Sequence, residues 1–173
     1  PVDPHQLTKK QVDQLTETQV ARWLIADHDG KVNNFLVKKN GDVMAIDFGN
    51  MFSHFPEDKL AKSYVPNWEE PVYNRIWDAY AKGTLDVDLL PALAMVARIE
   101  RMADDDYLKL IKPYVESRYL TGDIPAGLPT VERFLEAALN RKQTVRETFT
   151  SFFDGLARER GLKGGFMEAL KLK

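Results

Sequence analysis

The sequence predicts a mainly α-helical fold that contains one small antiparallel β-hairpin. Apolar residues recur at helical spacing along most of the chain, and the only strand-like alternation flanks an Asn-Gly pair. With 173 residues, of which 44% are hydrophobic and 29% are charged, the chain is large enough to bury the core of one domain. We therefore expect a single domain over residues 1–173, made up of a polar loop with the hairpin at 27–50, a helical body at 71–160 and a basic tail at 161–173.

Composition excludes several classes of protein. A formal net charge of −2 argues against a chain that coats nucleic acid through charge, and the absence of cysteine excludes disulfide scaffolds, thiolate metal sites and cysteine nucleophiles. The most apolar stretch, residues 89–96, contains Pro91 and is far too short for a transmembrane segment. The sequence predicts no signal peptide at its start. We therefore expect a cytoplasmic protein without a direct nucleic-acid partner.

The first predicted element is a helix, or a pair of short helices, over residues 1–25. Thr8 and Gln11 have the spacing of a capping box, and one helical face gathers the apolar residues Val12, Leu15, Val20, Trp23 and Leu24. The polar residues at 27–30, which end in a glycine, then predict a loop. His28 is expected to be a hydrogen-bonded residue of that loop.

The second predicted element is a hairpin that turns at Asn40-Gly41, between strands at residues 35–38 and 43–46. A two-residue turn sets the cross-strand pairs, which are Lys39 with Asp42, Val37 with Met44, Phe35 with Ile46, and Asn34 with Asp47. In this register one apolar face belongs in the core, and it consists of Phe35, Val37, Met44 and Ile46.

Beyond an irregular, aromatic-rich segment at residues 51–68, the chain is predicted to be helical. The helices are expected over residues 71–82, 86–102, 104–119 and 130–160, the last with a break near Gly155. Acidic residues at 104–106 suit a helix N-terminus, and the mixed charges from Arg133 to Arg160 are typical of a solvated helix face. The basic tail is expected to fray.

Polar residues cluster where the predicted hairpin opens. If Asn34 and Asp47 are directly opposed, their Cβ atoms lie about 4.5–5.5 Å apart. Amide and carboxylate oxygens are ligands that a hard divalent cation prefers. Asp29, just before the first strand, is then a separate carboxylate that can act as a base or orient a nucleophile. The sequence therefore predicts a metal-binding pair with a carboxylate beside it.

The same residues resemble the catalytic loop and the Asp-Phe-Gly segment of the protein-kinase-like superfamily. The loop pattern is Asp29-x-Lys31-x-x-Asn34, and the second motif is Asp47-Phe48-Gly49, with a hairpin between them. The resemblance covers about residues 18–55. It is closest to the atypical branch that contains the phosphatidylinositol 3/4-kinase-like and HipA-like enzymes.

This resemblance implies a phosphotransferase that uses ATP and Mg²⁺ to move the γ-phosphoryl group to a hydroxyl acceptor, which is a protein, an inositol lipid or a small molecule. It implies that Asp29 is the catalytic base and that Lys31 contacts the transferred phosphoryl group. Asn34 and Asp47 would hold the metal ion, and with Gly49 they would form the nucleotide-binding residues.

The chain also departs from the family's pattern. Gly30 stands where many kinases have arginine, and no Ala-Pro-Glu follows the second motif. Residues 1–28 supply neither strands nor a Gly-rich turn, so the resemblance implies a C-lobe whose N-lobe is absent from this chain and is supplied by an upstream segment or a partner chain. Two alternatives stay open: a non-catalytic kinase-like binding or regulatory module, and a different Mg²⁺-dependent phosphotransferase or hydrolase.

Overall fold

The computed structural model describes residues 2–172 and is mainly helical, with one two-stranded antiparallel sheet, as the sequence predicts. The helices are α1 (Lys9–Leu24), α2 (Val72–Ala81), α3 (Leu90–Arg101), α4 (Asp104–Leu120), α5 (Val131–Gln143), α6 (Val145–Glu159) and α7 (Gly165–Lys171). The strands are β1 (Phe35–Val37) and β2 (Val43–Ala45), and short 3-10 helices cover Pro4–Gln6 and Val32–Asn34. Pro1 and Lys173, which the predicted first segment and tail include, lie outside the described residues.

The start of α1 is fixed by a capping box. The backbone N–H of Gln11 donates to Thr8 Oγ1 at 3.2 Å, and the backbone N–H of Thr8 donates to Gln11 Oε1 at 3.0 Å. The predicted capping box is therefore confirmed. The apolar face of α1 is buried and packs mainly against α3.

Aromatic side chains fill the core between the helices. The ring of Trp77 on α2 lies 5.2 Å from that of Phe153 on α6, and Trp77 Nε1 donates to Gln19 Oε1 on α1 at 2.6 Å. These contacts join three helices around one core and fix the C-terminal half of α1. The largest fully buried side chains include Trp77, Arg22, Tyr107, Phe52, Phe134, Phe149 and Phe153.

The hairpin differs from its predicted register by one residue. The observed cross-strand pairs are Phe35 with Ala45, Leu36 with Met44, and Val37 with Val43. The favoured two-residue turn requires positive φ at both Asn40 and Gly41, but only Gly41, at +83°, has it. The chain therefore makes a three-residue loop over 39–41, in which the Gly41 N–H donates to the carbonyl of Lys38 at 2.9 Å.

Side chains of α1 hold the loop in this arrangement. Gln14 Nε2 donates to Asp42 Oδ1 at 3.1 Å, and Gln14 Oε1 accepts from the backbone N–H of Val43 at 2.8 Å. Lys10 forms an ion pair with Asp42, and this pair, with further hydrogen bonds from Gln14 and Asn40, lowers the pKa of Asp42 to about 2. The turn is therefore tied to a helix that lies far from it in sequence.

The register also changes which side chains reach the core. Phe35 packs edge-on against Tyr73 at 5.8 Å, and Val43 is partly buried against the core. Val37 is 64% exposed and Met44 is 41% exposed, so the predicted apolar core face is wrong at these two positions.

The C-terminal helices also differ from prediction. The predicted helix over 130–160 breaks at Thr144, between α5 and α6, whereas Gly155 lies inside α6. Residues 165–171 of the predicted tail form α7, where the Phe166 N–H donates to Asp154 Oδ1 at 2.8 Å and the Phe166 ring stacks against Phe153 at 6.3 Å.

Candidate active site

The residues singled out from the sequence lie on two segments that flank the hairpin. Residues 25–34, called the first loop here, connect α1 to β1, and residues 46–52, called the second loop, follow β2. Two backbone hydrogen bonds of 2.9 Å join the loops, from Phe52 N–H to the carbonyl of Ile25 and from Ile46 N–H to the carbonyl of Asn34.

Arg22, near the end of α1, forms contacts with both loops. Its side chain is 1% exposed, and Nη2 donates to the carbonyl of Ile46 at 2.9 Å while Nη1 lies 2.9 Å from Asp27 Oδ2. Nη1 also donates a longer bond, 3.4 Å, to the carbonyl of Asp29. The guanidinium carbon is 4.6 Å from the centre of the Phe48 ring, which covers it from the second loop.

Sequence reasoning missed Arg22. A signal was present, because Arg22 follows the buried Leu15 by seven residues and so lies on the same face of α1. A charged residue on a buried helix face usually has a specific partner, since an unpaired buried charge is costly.

Asp27 supports the first loop. Its Oδ1 accepts a hydrogen bond of 2.9 Å from the backbone N–H of Asp29, and its side chain is fully buried. Burial raises the pKa of Asp27, and the charge of Arg22 opposes that rise. Asp27 therefore orients the backbone at Asp29.

The carboxylate of Asp29, the predicted base, is contacted by two neighbouring side chains. It is 7% exposed, and its Oδ2 accepts from Asn50 Nδ2 at 2.7 Å and lies 3.5 Å from Lys31 Nζ. The structure thus brings Asp29 and Lys31 together. Asn50 lies in a turn of the second loop, and its side chain orients the carboxylate of Asp29.

Asn34 is buried at 3% exposure beside the same residue. Its Nδ2 donates to the carbonyl of Asp29 at 2.6 Å. None of the hydrogen bonds described within residues 2–172 uses Asn34 Oδ1.

The predicted cross-strand pairing of Asn34 with Asp47 is wrong, since the carbonyl of Asn34 accepts from Ile46 instead. Asp47 is exposed, with φ at +56°, a conformation that costs energy for a non-glycine residue and that clusters at functional sites. Its Oδ1 accepts from the Gly49 N–H at 3.1 Å, so the predicted residues Asp47 and Gly49 form one tight turn.

Two side chains here keep oxygen atoms that make no described hydrogen bond. Asn34 Oδ1 accepts no hydrogen bond described here, and the Asp47 carboxylate faces solvent with one oxygen outside the Gly49 bond. Among the described residues no group of three or more His, Asp or Glu side chains could hold a metal ion. A cation at this site would therefore need water or phosphate oxygens to complete its coordination.

Close packing against Tyr73 requires glycine at position 30. A Cβ atom at this position would lie 2.6 Å from Cε2 of Tyr73, whose ring is buried, and the carbonyl of Gly30 accepts from the Val72 N–H at 2.9 Å. The start of α2 therefore packs directly against the first loop, which leaves no room for a side chain.

A second buried cluster holds the first loop to α5. Arg141 donates two hydrogen bonds, of 2.7 and 2.5 Å, to the carboxylate of Asp58, and His28 Nε2 lies 2.5 Å from the same carboxylate. Arg141 also donates to the carbonyl of Trp23 at 3.1 Å and lies 4.0 Å from the centre of its ring. His28 is therefore a hydrogen-bonded loop residue, as predicted.

Burial of Asp58 opposes its ionisation, but hydrogen bonds from His28 and Arg141 outweigh burial and lower the pKa of this carboxyl. The predicted solvated face from 133 to 160 is wrong at Arg141 and at Lys142, which is buried and contacts Asp104 at 2.7 Å. Asp104 begins α4, so the acidic residues at 104–106 do occupy a helix N-terminus.

Comparison with protein-family models, with curated proteins and with solved structures gave no match to this chain. Within residues 2–172, no helix has the combination of length and apolar character that crossing a membrane requires.

Proposed function

We propose that this chain is the catalytic half of a kinase-like phosphotransferase, which transfers the γ-phosphoryl group of ATP to a hydroxyl acceptor with the help of Mg²⁺. The observation that carries the proposal is the fixed carboxylate of Asp29, held by Asn50 at 2.7 Å with the ammonium group of Lys31 at 3.5 Å. A carboxylate restrained in this way beside one cation suits general base chemistry close to a phosphoryl group.

Each residue of the first loop has a role in this proposal. Asp29 orients the acceptor hydroxyl or accepts its proton, while Asn34 and Asp27 fix the backbone on either side of that carboxylate. Lys31 places a positive charge where negative charge builds up on the transferred group.

A divalent metal ion would bind the remaining oxygen atoms of the two loops. Asn34 Oδ1 and the exposed carboxylate of Asp47 would hold it. A bound Mg²⁺ would neutralise negative charge on the phosphate groups. Asp47 contributes its charge from a turn that Gly49 stabilises through a 3.1 Å hydrogen bond.

An apolar surface lies next to these polar groups. Leu36 and Met44, which face each other across the strands, are 49% and 41% exposed, and they lie on the hairpin that connects the loops of Asn34 and Asp47. An exposed apolar pair beside phosphate-binding groups suits the flat face of a nucleotide base. An N-lobe, from an upstream segment or a partner chain, would cover the other side of that base.

ATP binding is the first test of the proposal. With ATP and Mg²⁺ at ten times the dissociation constant, the folded state gains about 1.4 kcal/mol, which is a rise of a few degrees in Tm for a domain of this size. We expect Asp47→Asn to abolish the Mg²⁺-dependent part of this rise. The control Asp106→Asn removes an exposed carboxylate at the start of α4 and should keep the full rise.

The second test measures release of inorganic phosphate from ATP with water as the acceptor. Asp29→Asn should abolish release but keep the thermal shift, because Asp29 acts on the acceptor and not on the metal. Equal rates of release from Asp29→Asn and Asp106→Asn would contradict the role of Asp29.

The second candidate is a non-catalytic binding or regulatory module, and the exposed apolar face at Leu36 and Met44 also favours it, because such a face suits a protein partner. The absence of any thermal shift with ATP and Mg²⁺, at concentrations up to solubility, would favour this candidate or show that nucleotide binding needs the N-lobe.

A further inference from the structure

A small cavity lies behind the first loop, between α1 and α2. Arg22, Trp23, Asp27 and Tyr73 are among the residues that line it. The space open to the centre of a water molecule is about 20 Å³. About 10–15 Å³ of such space is enough for one water molecule, so the cavity holds one and little more.

These four residues share an unusual property. Each carries a buried polar atom without a hydrogen-bond partner, and the atoms are Arg22 Nε, Trp23 Nε1, Asp27 Oδ2 and Tyr73 Oη. All four residues are at least nine-tenths buried, with exposures of 1%, 8%, 2% and 4% in that order. Asp27 Oδ2 does lie 2.9 Å from Arg22 Nη1, but without the geometry of a hydrogen bond.

Folded proteins rarely leave a buried polar atom unpaired, because each one costs about 1–3 kcal/mol. Four such atoms belong to residues that line one cavity of the right size, and this coincidence calls for a common explanation. We propose that one structural water molecule occupies this cavity and bonds to all four atoms.

The chemistry of the four atoms selects water over an ion. Arg22 Nε and Trp23 Nε1 are donors, Asp27 Oδ2 is an acceptor, and the hydroxyl of Tyr73 can act as either. Water accepts two hydrogen bonds and donates two, so it can satisfy both donors, the carboxylate and the hydroxyl at once. The two N–H groups disfavour a cation, and the carboxylate of Asp27 disfavours an anion.

This water would have a positioning role. It would connect α1, through Arg22 and Trp23, with α2, through Tyr73, and with Asp27 of the first loop. Asp27 in turn orients the backbone N–H of Asp29 at 2.9 Å. The inference goes beyond the proposed function, because it depends on the fold of the loop and not on any reaction.

The first test is Tyr73→Phe, which removes only the hydroxyl. If water bonds to this hydroxyl, the variant loses that bond and its midpoint of urea unfolding falls. If the hydroxyl is unpaired, its removal leaves the midpoint unchanged or raises it, and the proposal is overturned. The control Tyr107→Phe removes a buried hydroxyl that donates to the carbonyl of Leu24 at 3.0 Å, and it should lower the midpoint in both cases.

The second test is a high-resolution crystal structure of the unaltered chain. A single density peak within about 3.2 Å of at least three of the four atoms supports the proposal. An empty cavity, direct bonds among the four atoms, or a bound ion in place of water would each overturn it.

Discussion

At the scale of single residues, the side chains that shape the site act mostly on backbone atoms. Arg22 donates to the carbonyl of Ile46, and Asn34 donates to the carbonyl of Asp29. Bonds of this kind fix the path of a loop whose only regular structure is a short 3-10 helix, because they supply partners to backbone groups that a longer helix or strand would pair. The position of the Asp29 carboxylate is therefore restrained by the hydrogen bonds of its own backbone.

The contact between Gly30 and Tyr73 gives a prediction of stability. Gly30→Ala places a Cβ atom 2.6 Å from a buried ring carbon, so either the ring or the first loop must move. We expect a loss of about 1–3 kcal/mol in the free energy of unfolding, measured with urea.

Gly155→Ala is the matched control for this substitution. Gly155 lies inside α6, and a Cβ atom there meets nothing within 4 Å. Alanine favours a helix over glycine, so this variant should gain about 0.5–1 kcal/mol. Equal effects of the two substitutions would contradict the close packing at Gly30.

Asp58 gives a prediction of pH dependence. Its pKa in the folded protein is lowered from the ordinary value of 3.8, so its contribution to stability is present above about pH 3.8 and is lost as the pH falls through the folded pKa. Asp58→Asn should lose about 3–5 kcal/mol at neutral pH, because Arg141 is left buried without its partner. The variant should also lose less further stability than the unaltered chain when the pH is lowered from about 5 to about 3.

Urea unfolding at several pH values measures both effects. Asp123→Asn is the control, since Asp123 pairs with Arg118 from a position that is 66% exposed. We expect this variant to change stability by at most about 1 kcal/mol. An acid dependence of Asp58→Asn as steep as that of the unaltered chain would rule out the assigned role of the cluster.

At the scale of elements, side chains of α1 hold the hairpin in place, although the first loop separates the two in sequence. Gln14 of α1 binds both Asp42 and the backbone N–H of Val43, and Gln11 Nε2 donates to the carbonyl of Gly41 at 3.3 Å. A two-stranded hairpin alone is only marginally stable in water, so these contacts supply what further strands would supply elsewhere.

Gln14→Ala should therefore loosen the hairpin while α1 stays intact. The substitution leaves the backbone N–H of Val43 without its side-chain acceptor, and we expect a loss of about 1–2 kcal/mol together with faster hydrogen exchange at that amide. Glu17→Ala on the same helix removes only a 3.7 Å ion pair to Arg98, and it should leave the hairpin amides unchanged. Unchanged exchange at Val43 in Gln14→Ala would count against this contact.

At the scale of the whole molecule, the sequence predicted the helices better than their connections. Periodicity located most of the helices, and Thr8 with Gln11 marked the start of α1, because these signals are local. The hairpin register was missed by one residue because it depends on the φ angle of Asn40 and on contacts with Gln14, neither of which the local pattern shows.

The same distinction holds for the site. Asp29 and Lys31 lie together as their spacing suggests, since they share one loop. Asp58 and Arg141 are 83 residues apart, and Asn50 is 21 residues from Asp29, so no short motif joins either pair. Their roles come from the packing of the second loop and α5 against the first loop.

The exposed apolar face of the hairpin gives a prediction that separates binding from stability. Leu36 is 49% exposed, so Leu36→Ser should change the free energy of unfolding by at most about 0.5 kcal/mol. Under the proposed function it should reduce the thermal shift produced by ATP and Mg²⁺. Leu120→Ser, at an 88% exposed position that ends α4, should change neither quantity. Equal shifts in both variants would exclude a nucleotide contact at Leu36.

Arg22 has a consequence for how this part of the molecule opens. The guanidinium group of Arg22 contacts carbonyl or carboxylate oxygens on both loops. If either loop detached alone, the buried charge of Arg22 would lose some of its hydrogen-bond partners, which is costly. Amides on the two loops should therefore exchange with deuterium at matching rates, as a single cooperative unit.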